Sequence, residues 1–161
     1  MADPILGVYR ALHESEIPVF AEVQGDARGF GCALVAASDL AIASEDARFS
    51  LPELQKNLPP TLVLSVLRYR VPPKAAAHRV YLTDTVDART AREWGFVAEV
   101  VSAGRLASRA DEISASVCSR DRIALAALKA YHRETVMPDF TLASETAGLM
   151  LSSAMTSMNR G

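Results

Sequence analysis

The sequence predicts a mixed α/β unit followed by a wholly helical region. Short β-branched and aromatic runs alternate with helix-spaced apolar patterns up to residue 101, a glycine-rich turn joins one such run to a helix, and only helical periodicity follows from residue 102. The first element is a helix, because Ile5, Val8, Tyr9 and Leu12 recur at helical spacing, Pro4 suits a first turn and Pro18 ends whatever precedes it. "PVFAEVQ" reads as a buried strand closed by Gly25. "GFGCALVAASD" is almost wholly apolar and small, which predicts a helix packed on all sides that begins at the glycines. "LAIAS" and "RFSL" are further short strands.

Pro52, Pro59 and Pro60 then break the chain into turns around one short helical piece. "TLVLSVLRY" is an apolar helix with Thr61 as its N-cap. After Pro72 and Pro73, "PKAAAHRVYLT" and "VDARTAREWG" predict two helices, the second capped by Asp87 and stopped by Gly95, and "FVAEVV" a strand beyond them. Gly104 to Asn159 holds three helical patterns, split at Arg120/Asp121 and at Pro138/Asp139. The expected division is residues 1–101 as a mixed α/β part and 102–161 as a helical one.

Composition removes several classes of partner. A chain of 161 residues, half of them hydrophobic, can form a real core, and 17 basic against 19 acidic residues leave a formal net charge of -2. That balance offers no electrostatic footprint for nucleic acid or for an anionic membrane. Cys32 and Cys118 are far apart, with no CxxC spacing and no clustered histidines, so neither a disulfide framework nor a metal site is expected and a reducing cytoplasm fits best. "MADPILGVYRALHESE" carries Asp3 and Arg10 and lacks the apolar core of a signal peptide.

Gly25, Gly29 and Gly31 in "QGDARGFGCAL" form G-x-x-x-G-x-G, which is neither the dinucleotide fingerprint nor the phosphate loop, whose lysine is missing. A strand, a glycine turn and a helix N-terminus nevertheless leave backbone N–H groups pointing outward, suited to an anion or a developing oxyanion. Tight packing of a helix on a sheet would use the same glycines.

"IPVFAEVQGDARGFGCALVAASDLAIASEDARFSLPEL" resembles the central signature of the crotonase, or enoyl-CoA hydratase/isomerase, superfamily. The resemblance lies in the Pro-Val strand, the Q-G-x-A-x-G-x-G turn, the small-residue helix, Ser38-Asp39, "IASEDARF" and then Pro52-Glu53. It continues through "NLPPTLVLSVL" and "VYLTDTVDARTAREWGFVAEVV" into the C-terminal helices. The resemblance implies a partial crotonase-like spiral of ββα units in residues 1–101, with the C-terminal helical region of 102–161 serving oligomerisation as a trimer or hexamer. Family members usually carry further ββα units before this point, including the segment that supplies the first of two oxyanion N–H donors. The chain thus looks like the second half of the family's core with its helical part.

Carried over residue by residue, the resemblance implies that the second oxyanion donor is the backbone N–H of Phe30, with Gly29 and Gly31 shaping the turn. Hydratases of the family use two glutamates. The position of the first is Ala33 here, while Glu53 holds the second. One carboxylate beside an oxyanion hole suits an enoyl-CoA isomerase, which needs a single base. The implied substrate is an acyl-CoA thioester, with coenzyme A part of the substrate and no separate cofactor. The alternative is a catalytically inactive crotonase-like fragment that binds acyl-CoA or mediates subunit assembly.

The remaining candidates read as follows. Glu22 alternates onto the face opposite Val19, Ala21 and Val23 and is expected to be solvent-facing or paired. Asp39 is expected to brace the helix-to-strand turn, and His13, His78 and His132 are expected on the surface. Arg68, Arg70 and Lys74 could meet coenzyme A phosphates, though a solvated helix face is the expectation. Met150, Met155 and Met158 lie on an amphipathic C-terminal helix suited to packing on a neighbour.

Overall fold

Two parallel strand pairs and the helix between them frame the molecule. The computed structural model describes residues 3–137 and 139–158. Helix α1 (Asp3–Glu14) leads into β1 (Phe20–Val23), β2 (Asp26–Arg28) and α2 (Phe30–Ala37). Then come β3 (Leu40–Ser44), β4 (Arg48–Ser50), a short 3-10 helix (Glu53–Lys56) and α3 (Thr61–Leu67). Each ββ pair feeds one strand into each of two small sheets. One sheet has the order β1-β3-β6 and the other β2-β4-β5, with β5 (Val86–Asp87) and β6 (Glu99–Val101) arriving later. Registers pair Ala21 with Ala41 and Ile42 with Glu99 in the first sheet, and Ala27 with Phe49 in the second; all are parallel except β4 with β5. Among the described residues β1 and β2 pair on one side only, and both edges carry exposed charge at Glu22, Asp26 and Arg28.

Small side chains explain how α2 fits. Cys32, Ala33, Val35 and Ala36 are buried against α3 and the sheets, and Val66, Leu67, Phe49 and Val97 continue the same core. The α2 C-terminus would leave carbonyls unsatisfied there, and Arg70 donates Nε–H to the Ala36 carbonyl at 2.8 Å and a second N–H to Ser38 at 3.1 Å. Helices α4 (Pro73–Leu82) and α5 (Ala88–Glu93) flank β5, with Asp87 capping α5 through the Thr90 N–H at 2.8 Å and Gly95 at φ 75° ending the turn beyond it. Beyond β6 the described residues form α6 (Leu106–Cys118), α7 (Arg122–Thr135) and α8 (Phe140–Met158), of which α8 packs along α3 and α1. None of the helices among the described residues is long and apolar enough to cross a membrane.

Several expectations need correction. The expected glycine turn contains a strand, β2, in which Ala27 turns inward and pairs with Phe49. Helix α2 is not enclosed on all sides, as Phe30 and Leu34 are exposed, and Val8 of α1 is exposed too. Thr61 is the first helical residue rather than the cap; its hydroxyl instead donates to the Ala147 carbonyl of α8 at 2.8 Å. Val86 and Asp87 form a strand at the start of a segment expected to be helical. Pro138, Asn159 and the side chain of Met158 lie outside the described residues.

Candidate functional site

Gly29 is the pivot of the site. It holds φ 50° and ψ -108°, a region closed in practice to residues with a Cβ, and its N–H donates to the Ser50 carbonyl of β4 at 2.9 Å. The first bond of α2 runs from the Ala33 N–H to the Gly29 carbonyl at 3.1 Å, so the N–H groups of Phe30, Gly31 and Cys32 precede the helical ladder. These donors, at the positive end of the helix dipole, suit a developing negative charge.

Glu53 reaches this turn because β4 ends at Ser50 and Pro52 starts the 3-10 helix immediately after. Its Oε1 lies only 2.8 Å from where a Cβ on residue 29 would stand, so glycine there is what lets the carboxylate rest against the backbone. Oε2 is buried and has no hydrogen-bond partner among the described residues. Burial pushes the Glu53 pKa up, opposed by its own backbone N–H and by Lys56. A buried carboxylate held above its ordinary range is suited to accept a proton near neutrality.

The surrounding groups feel the same carboxylate. The Cys32 thiol is pushed up to about 12, by burial first and with a contribution from Glu53, while its S–H donates to the Ala27 carbonyl at 3.0 Å. Tyr9 is also raised, by burial and then by Glu53, and its ring stacks on Phe30 with centroids 6.0 Å apart. Behind the turn a cavity of about 40 Å³ is lined by Cys32, Leu51, Val71, Ala76, Trp94 and Phe96. Its lining is mostly apolar, with Ser50, Arg79 and Asp84 also on its walls.

The sequence-predicted residues divide into two sets. Glu53, Gly29, Phe30 and Gly31 come together, and Ala33, fully buried one turn along α2, offers no acid or base. Glu22 is exposed on β1, as its alternation implies. Asp39 does brace its turn, accepting the Val19 N–H at 2.7 Å. Arg70 is a correction to the basic group: it is spent on the carbonyls of Ala36 and Ser38 at the end of α2, leaving Arg68, which lies 4.9 Å over the Tyr69 ring, and exposed Lys74. His78 and His132 are exposed, but His13 is half-buried and stacks on Phe140 with centroids 4.2 Å apart. Burial, followed by Arg133, lowers its pKa.

Two residues escaped the sequence reading. Lys129 of α7 is buried and pairs with Asp39 at 2.6 Å, while donating to the carbonyls of Leu12 and Ile17. Tyr9 looks in sequence like an ordinary core residue of an amphipathic helix, and only the fold brings it to Phe30. No local signal marks either. Among the described residues no group of three or more His, Cys, Asp or Glu could hold a metal ion.

Comparison with known proteins gives the family. The family model for enoyl-CoA hydratase/isomerase matches residues 2–159. The chain belongs to the enoyl-CoA hydratase/isomerase family. Among curated relatives of this family member, a "(7aS)-7a-methyl-1,5-dioxo-2,3,5,6,7,7a-hexahydro-1H-indene-carboxyl-CoA hydrolase" of Mycobacterium tuberculosis is 36% identical over 122 residues, covering 75% of this chain and 48% of the relative. A carnitinyl-CoA dehydratase of Proteus mirabilis is 36% identical over 120 residues, 73% of this chain and 46% of its own length. The chain thus spans about half the length of these relatives. A crystal structure of an enoyl-CoA hydratase from Mycobacterium avium superposes with a TM-score of 0.81 at 27% identity, covering 99% of this chain and 66% of that one. An enoyl-CoA hydratase from Mycobacterium tuberculosis gives 0.82 at 29%, covering 88% and 65%. These are crotonase-type folds, in agreement with the predicted class.

Proposed function

We propose that this enoyl-CoA hydratase/isomerase family protein acts on an acyl-CoA thioester, with isomerase-type proton transfer by Glu53. The observation that carries the reading is the Glu53 carboxylate resting against the Gly29 turn, one residue from the Phe30 N–H. With a β,γ-enoyl thioester, Glu53 takes a proton from Cα as the electron pair moves onto the thioester oxygen, to which the Phe30 N–H donates a hydrogen bond. The same carboxyl returns the proton at Cγ as the dienolate collapses, leaving the α,β double bond. Coenzyme A enters as part of the substrate and the step uses no separate cofactor. Addition of water by two carboxylates is disfavoured because Ala33 supplies neither acid nor base.

The test is to incubate the purified chain with a short β,γ-enoyl-CoA and follow the α,β isomer. Formation above background that disappears in Glu53→Gln supports the reading, and no formation removes it. A second reading, a catalytically inactive protein that binds acyl-CoA or mediates assembly, is favoured by Ala33, which leaves Glu53 as the one acid–base side chain identified at the turn. Calorimetric binding of acyl-CoA without turnover selects it. Exposed Leu142, Leu149 and Met150 on α8 support assembly into a homo-oligomer, a trimer or hexamer, which sedimentation tests directly.

A further inference from the structure

Helix α4 turns an arginine inward. Ala76, Arg79 and Val80 stand at i, i+3 and i+4, and Ala76 and Val80 are buried in the core. Arg79 shares that inward face and lines the cavity behind the Gly29 turn. Its guanidinium carbon lies 4.6 Å from the centroid of the Trp94 ring, and Nη1 pairs with Asp84. Nε stands apart from these contacts. It is shut off from solvent and has no hydrogen-bond partner among the described residues. A buried N–H without an acceptor is costly, and such groups in native folds are few.

The cavity adjoins the turn through β4 and α2. Ser50 lines it, and the Ser50 carbonyl accepts the Gly29 N–H at 2.9 Å. Cys32 lines it too, two residues after Phe30, with Sγ 3.5 Å from that same carbonyl. Leu51, on the same wall, stands two residues before Glu53. With a volume of about 40 Å³ and a mostly apolar lining, the cavity suits the far end of an acyl group better than a charged one. Asp84 already balances the Arg79 charge, so an incoming carboxylate would be left without a counter-charge. A neutral oxygen meets the idle N–H without adding charge.

We propose that this cavity receives the distal part of the acyl group and that Arg79 selects acyl-CoA thioesters bearing a neutral oxygen acceptor there, a ketone carbonyl. The inference rests on the reading that the chain acts on an acyl-CoA thioester, and it is independent of which proton transfer Glu53 performs. An alkyl chain fills the same apolar walls and leaves the Nε–H unmet, so discrimination comes from a donor deprived of its acceptor. The Trp94 face and the Asp84 carboxylate hold the guanidinium in place, so little side-chain freedom remains to be lost on binding.

Calorimetry on the full chain tests this with matched thioesters: 4-oxopentanoyl-CoA against pentanoyl-CoA, 5-oxohexanoyl-CoA against hexanoyl-CoA, and glutaryl-CoA as the charged comparison. A hydrogen bond from a charged donor is worth about tenfold in Kd, so at least one ketone should bind about tenfold more tightly than its alkyl partner. Glutaryl-CoA should bind no more tightly than pentanoyl-CoA. Arg79→Lys keeps a cation for Asp84 but puts a methylene where Nε stands, and Arg79→Met removes every donor; in both, the ketone preference should vanish. Equal affinities within both pairs, in a chain that binds acyl-CoA, overturn the proposal and leave the acyl-CoA reading standing. A ketone preference that survives in Arg79→Lys overturns the role of the Arg79 Nε. Tighter binding of glutaryl-CoA overturns the choice of a neutral acceptor. Failure to bind any of these thioesters overturns the acyl-CoA reading and the proposal together.

Discussion

Gly29→Ala separates the stability of the turn from its chemistry. The backbone at φ 50°, ψ -108° is strained for alanine, which costs about 1–3 kcal/mol. The added methyl would also stand 2.8 Å from Glu53 Oε1. That contact is with the far end of a flexible side chain, so it is relieved by swinging the carboxylate away and adds little to the loss of stability. Taking about 2 kcal/mol for the backbone, a domain of this length loses roughly 4–8 °C in Tm. The displaced base matters more for turnover, because a shift of about 1 Å in a reacting group costs on the order of 100-fold in rate. Thermal melts and β,γ-enoyl-CoA isomerisation, measured in parallel, read the two effects. A rate equal to that of the unaltered protein, alongside the expected melt, would refute the claim that the resting place of Glu53 against the turn is its working place. An unchanged Tm would refute the conformation assigned to Gly29.

Three further outcomes are expected. Glu53→Gln should lower the isomerisation rate by about 10²–10⁴-fold and yet raise Tm at neutral pH. The folded pKa of Glu53 lies above its unfolded value, so the ionised carboxylate opposes folding, and that cost is relieved as pH falls through the folded pKa; melts of the Glu53→Gln variant across pH lack this component. Lys129→Met leaves Asp39 without its ammonium partner and should cost about 3 kcal/mol by urea unfolding, with Asp39→Asn in the same chain recovering part of it. His13 has a folded pKa below its unfolded value, so stability is full above about pH 6.5 and falls as acid is added through that window; His13→Phe, which keeps the stack on Phe140, should flatten the slope.

The parts of the fold legible in sequence are those set by local chemistry. Helix α1, β1, β3 and β4 follow from spacing and β-branched runs, and the Asp87 cap from the preference for a side-chain acceptor at a helix start. Strand β2 was hidden because Asp26, Ala27 and Arg28 have no β preference of their own; pairing with β4 imposes the extended form. Thr61 looks like a cap by residue type, but Ala147 of α8, far along the chain, takes its hydroxyl. For the site, the nearness of Glu53 to the glycine turn was implied by resemblance alone, since nothing in the local pattern folds residue 53 onto residue 29. Tyr9 on Phe30 and Lys129 against Asp39 are contacts between distant segments, and helical periodicity assigns such residues only to an inward face.

The two one-sided strands bear on how the molecule behaves among its neighbours. A strand with a free row of N–H and C=O groups invites an extended chain to add to it, and among the described residues β1 and β2 each pair on one side only. Glu22 stands in the middle of one, and the Asp26–Arg28 ion pair brackets the other. Charged side chains on a strand disfavour edge-to-edge pairing, and β1 and β2 carry Glu22, Asp26 and Arg28 and no proline.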